Sequence, residues 1–388
     1  MGISEAELLA LRAQLDGRVD ETLAFTRQLV EAESPSGDRE GSRAVVELLA
    51  QAAGAIEVVT AVERIERPDY GEHLRVRAFG DKRGSDGALL VVGHTDTVHP
   101  RGSLAERPWR VEGNRIYAPG IFDMKANCAL VLETLRACAA LRLAPQREVM
   151  LLLTCDEETG SETGRALVEE EAGRARCALV LEPPASGGRV KTGRKGTANF
   201  TIEARGVASH AGLEPEKGAS AILEIARQIE RLHAMNAPSR GTTVNAGVVR
   251  GGTRSNVVAA EAYLETDVRF STMEEARRIE SEILSLQPFD ERVKLTVRGG
   301  INRPPLERSS GVAALYEQAC RVAAMLGFEL GEASVGGASD GNFVAAMGVP
   351  VLDGLGIDGD GAHASHEHLI VDDVTRRGAL LAGLIASL

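Results

Sequence analysis

Three stretches decide the fold: Ala88-Leu-Leu-Val-Val-Gly-His94, Val149-Met-Leu-Leu-Leu-Thr-Cys-Asp-Glu157-Glu158 and Ala178-Leu-Val-Leu-Glu182. Each begins as a short apolar run without polar alternation, the pattern of a strand buried on both faces of a parallel sheet. Each run then stops on side chains that bind metals: His94 and Asp96, Glu157 and Glu158, and Glu182. Ligands of such sheets collect beyond the carboxyl ends of the strands. One histidine and several carboxylates are therefore expected along one sheet edge, which is how a divalent-metal site is built.

Working outward, the first 190 residues alternate helix and strand. Apolar residues at helical spacing run from Glu5 to about Ala32 and stop at Ser34-Pro35-Ser36-Gly37, a breaker cluster. A second helix is predicted over about Asp38 to Ala53. Strand-like runs follow to Asp96, with turns at Asp69-Tyr70-Gly71 and Ser85-Asp86-Gly87. A long helix runs from about Met124 to Leu141. This order marks a doubly wound α/β domain.

Near Val190 the character changes, because Phe200, Ile202 and Ala204 alternate with polar residues, as on a strand with one wet face. Strand, helix, two strands (Thr243 to Val249, Ala259 to Phe270), helix and a short strand (Val293 to Val297) make a ferredoxin-like unit. After Pro304-Pro305 come a helix (Val312 to Leu326), a strand (Val349 to Leu355) and a last helix (Val371 to Leu388). The fold class expected is α/β, a mixed, mostly parallel sheet flanked by helices with an inserted α+β domain. Residues 1–190 and 305–388 form the main domain, and residues 191–304 the insert.

The chain has 388 residues, long for one core, in keeping with two domains. A net charge of −12 argues against nucleic acid and anionic membranes as partners. No apolar run approaches the ~20 residues that span a bilayer. The start, Met1-Gly-Ile-Ser-Glu, lacks the basic and apolar segments of a signal peptide. Five scattered cysteines without a C-x-x-C pair read as reduced thiols, so a cytoplasmic protein is expected.

Read singly, the polar residues leave alternatives open. Asp96, two residues from His94, is placed to accept the second ring N–H of a ligating histidine. Asp123 opens the helix at Met124 and is either an N-cap or a carboxylate bridging two cations about 3.5–4 Å apart. Of the adjacent Glu157 and Glu158, one can ligate while the other serves as general base. Three histidines, His363, His366 and His368, share a loop after a strand, and spacing does not choose among them. His73, His99 and His233 read as surface residues.

Taken together the motifs resemble the M20 family of co-catalytic zinc metallopeptidases, in particular glutamate carboxypeptidases and N-acyl amino acid hydrolases. The resemblance rests on Gly93-His94-Thr95-Asp96, Gly120-Ile121-Phe122-Asp123-Met124-Lys125, Asp156-Glu157-Glu158-Thr159-Gly160 and Leu181-Glu182-Pro183. It continues through Ser209-His210-Ala211-Gly212, Asn256-Val257-Val258, Asp267-Val268-Arg269, Gly336-Gly337-Ala338-Ser339-Asp340 and the segment from His363 to Glu367, in family order.

That resemblance implies two Zn2+ per subunit, with Co2+ or Mn2+ as substitutes. One would be held by His94, Asp123 and Glu182, the other by Asp123, Glu158 and His363. It implies Glu157 as general base acting on a metal-bridging hydroxide, with Asp96 orienting His94. It also implies His210 as an oxyanion donor, reaching a partner's site in a homodimer built through the inserted lid domain. Arg269, Asn256, Gly336, Gly337 and Arg303 are the implied substrate contacts.

The implied reaction is cleavage of an amide beside a free carboxylate in a small peptide, as by a glutamate carboxypeptidase. An N-acyl amino acid deacylase or dipeptidase shares the same site. A non-catalytic homodimeric binding protein would have lost the base or a ligand, yet all are present. One departure from the family is Ala126-Asn127, where many members carry Gly-Gly.

Overall fold

The first helical stretch is two helices rather than the single one its periodicity suggests. α1 (Glu5–Asp16) starts on a capping box, in which Ser4 accepts the Glu7 N–H and Glu7 accepts the Ser4 N–H. It stops at Gly17, a residue of poor helix propensity, and α2 (Val19–Glu31) restarts two residues later. Asp38 caps α3 (Arg39–Gly54) by accepting the Gly41 N–H at 3.0 Å. The structure, a computed structural model, describes residues 3–80 and 87–388. The expected turn at Ser85-Asp86-Gly87 falls partly outside the described residues.

The strands follow as β1 (Val59–Arg67), β2 (Gly71–Ala78), β3 (Ala88–His94), then α4 (Ala126–Ala140), β4 (Val149–Thr154) and β5 (Ala175–Val180). After them come β6 (Gly196–Arg205), α5 (Ala221–Ala234), β7 (Thr243–Gly251), β8 (Glu261–Phe270), α6 (Met273–Leu284) and β9 (Lys294–Arg303). The chain closes with α7 (Ser310–Met325), β10 (Val351–Leu352) and α8 (Asp373–Ser387). Only two residues of the expected strand Val349–Leu355 pair as β10, through a parallel register with β5.

Two compact units result. Met1–Thr192, Arg308–Ser334 and Ser339–Leu388 form the first; Gly193–Glu307 and Val335–Ala338 form the second. Gly336 and Gly337 thus fall in the second unit, although the sequence put them in the segment 305–388.

The first unit carries a six-stranded sheet in the order β1-β2-β4-β3-β5-β10. β4, β3, β5 and β10 run parallel, while β1 and β2 are antiparallel additions. β4 is buried at every residue and β3 at all but its first, as continuous apolar runs require. Register then fixes the edge: His94 lies opposite Thr154, and Val92 opposite Val180. Asp156 to Glu158 and Glu182 therefore leave the sheet at the same level as His94. A further small sheet, from Arg110–Glu112, Arg115–Tyr117, Gly359–Asp360 and His368–Ile370, brackets the loop that bears His363.

The second unit is an antiparallel sheet, β7-β8-β6-β9, with α5 and α6. This is the strand order of the ferredoxin-like arrangement. Ala198, Phe200, Ile202 and Ala204 of β6 pack with Ile225 of α5 and Ile279 of α6 in its own core. Of the alternate residues of β6, Asn199 and Arg205 are exposed, Thr201 and Glu203 half-buried and Thr197 buried, so the wet face is partial.

Candidate metal centre

At the carboxyl edge of the first unit's sheet, one carboxylate faces two histidines. Asp123 Oδ1 lies 3.2 Å from His94 Nε2, and its Oδ2 lies 3.6 Å from His363 Nε2. Glu182 Oε1 lies 3.4 Å from His94 Nε2, and Glu158 Oε2 lies 3.1 Å from His363 Nε2. Donor atoms of His94, Glu157 and Glu182 fall within 4.8 Å of one another, as do those of His94, Asp123 and Glu158. His210, Arg269, Asn256, Gly336, Gly337 and Arg303 all belong to the second unit.

Asp123 is not the helix cap that its position also suggested. Its backbone is non-helical (φ −118°, ψ 89°), and α4 begins after Lys125 with no side-chain cap. Its carboxylate is thereby released toward the two imidazoles. Just before it, Gly120 takes a left-handed φ of 70°, which glycine adopts without strain. Gly93 makes room in another way: a Cβ there would meet Met124 Cε at 2.6 Å.

The tautomer of His94 follows from its contacts. Nδ1 lies 3.0 Å from the Asp96 carbonyl oxygen, an acceptor only, so Nδ1 carries the proton and Nε2 faces the carboxylates. The Asp96 side chain does something the sequence reading missed. Its oxygens accept the N–H groups of Glu157 at 3.2 Å and Glu158 at 3.1 Å, and the hydroxyl of Ser36 at 2.6 Å. Asp96 therefore fixes the loop bearing both glutamates, with Ser36 holding Asp96 in turn.

Electrostatics follow from this crowding. Burial opposes a charge on Asp123, yet hydrogen bonds from His363 and His94 hold its carboxyl well below the usual range. Asp123, then Glu158, push His363 up to about 10. Burial opposes protonation of His94, but Asp123, Asp96 and Glu182 outweigh it and raise its pKa. Burial raises the pKa of Glu158, whose Oε1 is buried with no hydrogen-bond partner among the described residues.

These residues fit divalent metals. Two ligands bound at about 2.0–2.2 Å to one tetrahedral ion sit roughly 3.4 Å apart, and the spacings above are 3.1–3.6 Å. Four acidic side chains (Asp123, Glu157, Glu158 and Glu182) with two histidines, and a buried carboxylate oxygen of Glu158, form a donor set that cations satisfy.

Other histidines depart from expectation. His73 is fully buried, accepts the Cys155 N–H at 3.1 Å, and burial pushes it down to about 4. His99 is buried against Glu367. Only His233 of the three is exposed. The Ala126-Asn127 departure also has a structural counterpart: Asn127 Oδ1 accepts the Ile357 N–H at 2.9 Å, and neighbouring Gly356 donates to the Glu182 carbonyl at 2.9 Å.

In the second unit, His210 Nδ1 accepts the N–H groups of Gly212 and Leu213 at 3.1 and 3.2 Å, leaving Nε2 as the donor. Asn256 is adjacent to it, its carbonyl accepting the Ala211 N–H at 3.0 Å. Arg269 is engaged by Asp267 through two contacts of 2.9 Å. The Gly337 and Ala338 carbonyls face the Arg194 guanidinium at 3.1 and 3.2 Å. Arg303 is buried at the end of β9.

Comparison with known proteins identifies the family and the fold. Residues 90–387 match the family described as Peptidase family M20/M25/M40. Carboxypeptidase G2 of Pseudomonas sp. (strain RS-16) is 30% identical over 93% of this chain and 88% of its own. Succinyl-diaminopimelate desuccinylase of Delftia acidovorans is 29% identical over 91% and 94% respectively. The fold is shared with an M20 family metallo-carboxypeptidase from Sulfolobus solfataricus, at a TM-score of 0.70 and 16% identity over 95% of this chain and 99% of that one. Aminopeptidase PepT from Bacillus cereus ATCC 10987 gives a TM-score of 0.74 at 21% identity, over 95% and 98%. The chain belongs to peptidase family M20/M25/M40 and is a metallopeptidase of that family.

Proposed function

We propose that the protein hydrolyses an amide bond beside a free carboxylate, as a glutamate carboxypeptidase-like exopeptidase working with two divalent cations, zinc foremost. The observation that carries this reading is the single carboxylate of Asp123 presenting one oxygen to His94 and the other to His363. His94, Asp123 and Glu182 would hold one cation; Asp123, Glu158 and His363 the other. When bound, such a pair lowers the pKa of a shared water toward about 7 and polarises the scissile carbonyl.

The chain's own residues do the rest. Glu157, its backbone N–H held by Asp96, takes the proton of the attacking water and delivers it to the leaving nitrogen. His210 donates from Nε2 to the developing oxyanion. Arg269 offers a guanidinium to the substrate carboxylate, with Asn256, Arg303 and the backbone of Gly336 and Gly337 completing that subsite.

His210 acts on a partner's site in a homodimer joined through the second unit. In support, β7 is an edge strand of its sheet, with Val249 61% exposed, and Ile222 and Leu223 of α5 are also exposed. Five free cysteines, four of them buried, agree with a reducing, cytoplasmic setting.

Carboxypeptidase G2 as a 30% identical relative supports the carboxypeptidase reading. The desuccinylases among the relatives favour a second one, removal of an N-acyl group from an amino acid. Zinc-loaded protein assayed on C-terminal glutamate conjugates, N-succinyl amino acids and dipeptides separates the two. Highest kcat/KM on the glutamate conjugates is expected; highest turnover on N-succinyl substrates would overturn that choice.

A further inference from the structure

Glu367 lies four residues after His363, and its side chain reaches back to the backbone that carries Asp123. It is 2% exposed. Oε1 accepts the N–H groups of Phe122 at 2.9 Å and Asp123 at 3.0 Å. Oε2 accepts the Gly120 N–H at 2.7 Å and lies 2.6 Å from His99 Nε2. A buried carboxylate needs such a set of donors to remain charged. Here three of the four are backbone N–H groups of the short segment Gly120 to Asp123 that turns Asp123 away from α4.

The state of His99 follows from its other side. Arg107 Nη2 lies 3.3 Å from His99 Nδ1, and a guanidinium can only donate. Nδ1 is therefore the acceptor and Nε2 the donor toward Glu367. Arg107 also donates to the Ala364 carbonyl at 3.5 Å, directly after His363. His363 itself has a left-handed φ of 64°, and the Ala364 N–H bonds the Gly361 carbonyl at 2.8 Å. The two ligand-bearing loops thus meet at one side chain.

We infer that Glu367 is a positioning residue that sets the spacing between Asp123 and His363, with His99 holding it by a hydrogen bond. The inference rests on the reading of Asp123 and His363 as ligands of one cation. Gln at 367 would keep one acceptor oxygen but turn an NH2 group toward N–H donors.

The test is calorimetric titration of zinc chloride into chelator-stripped full-length protein. Wild-type protein should take up two ions. Glu367→Gln should weaken one binding event about 10- to 100-fold, the usual cost of losing a ligand's support, and leave the other within about threefold. His363→Ala should abolish that same event, and adding Glu367→Gln to it should cost the remaining event nothing further. If Glu367→Gln does not fold, the His99 pair carries the test: His99→Ala should weaken the same event, and His99→Gln, which restores an N–H donor, should recover it. Unchanged zinc affinities in Glu367→Gln or His99→Ala, equal weakening of both events, or no recovery in His99→Gln overturns the inference. No zinc uptake by wild-type protein would instead defeat the two-cation reading.

Discussion

The carboxyl edge of the first unit's sheet and the loops of the second unit hold candidate site residues in opposite ways. At the sheet edge three of these side chains stand on backbone clamped by a buried carboxylate: Asp96 grips that of Glu157 and Glu158, and Glu367 that of Asp123. In the second unit, His210 and Asn256 are exposed, and Arg269 is held by Asp267 of its own strand. Geometry within about 0.5 Å matters most where charge is made and moved. The first region is built for that. On the proposed reading, the residues of the second unit would bind and polarise a substrate, which asks for less rigid placement.

This contrast predicts effects of different kind and size. Glu157→Ala should lower kcat by about 10²–10⁴ while zinc content by atomic absorption stays at wild-type level; unchanged turnover would remove Glu157 from the role of base. His210→Ala should lower kcat by about 10²–10³, again without loss of zinc, and a normal rate would detach the second unit from the chemistry. Arg269→Ala should raise KM about 10- to 100-fold, the loss of a charged hydrogen bond, with a smaller change in kcat. An unaltered KM would mean that Asp267 is this arginine's only partner.

The smallest effect concerns stability of the second unit alone. Glu275 is buried against Arg278, Thr242 and Arg240, and its pairing with Arg278 pulls its pKa down to about 2. A depressed carboxyl contributes stability above its unfolded pKa, about 4.5, and loses it as pH falls toward 2. Glu275→Gln should destabilise by about 1–2 kcal/mol at pH 7, given the solvent exposure of Arg240, and converge on wild type near pH 2. Thermal melts across that range check it; a constant gap would reject the ion pair as the cause.

What could be read in the sequence was whatever depends on pattern. β3, β4 and β5 are legible because unbroken apolar runs have few other uses, and their ends name His94, Glu157, Glu158 and Glu182 without a structure. β6 is legible by its alternation. The break between α1 and α2 was hidden because Leu8, Leu11, Leu15, Val19 and Leu23 keep a nearly helical rhythm across Gly17. The sheet bracketing the His363 loop was hidden because strands of two or three residues have no period. Asp123 looked the same as a helix cap because the two roles share one position in the chain. Glu367, His99 and Ser36 were missed as supports because what they hold is backbone N–H, carboxylate or loop, brought together only by folding. His363 could be singled out from His366 only through family likeness, and the structure turns it toward Asp123 and Glu158 by a left-handed backbone.

The central claim is that Asp123 is shared between two cations, and anomalous scattering from crystals of zinc-saturated protein tests it most directly. Two peaks are predicted, one within about 2.0–2.2 Å of each Asp123 carboxylate oxygen, the first beside His94 and the second beside His363. Peaks elsewhere, or none in reach of that carboxylate, would contradict it.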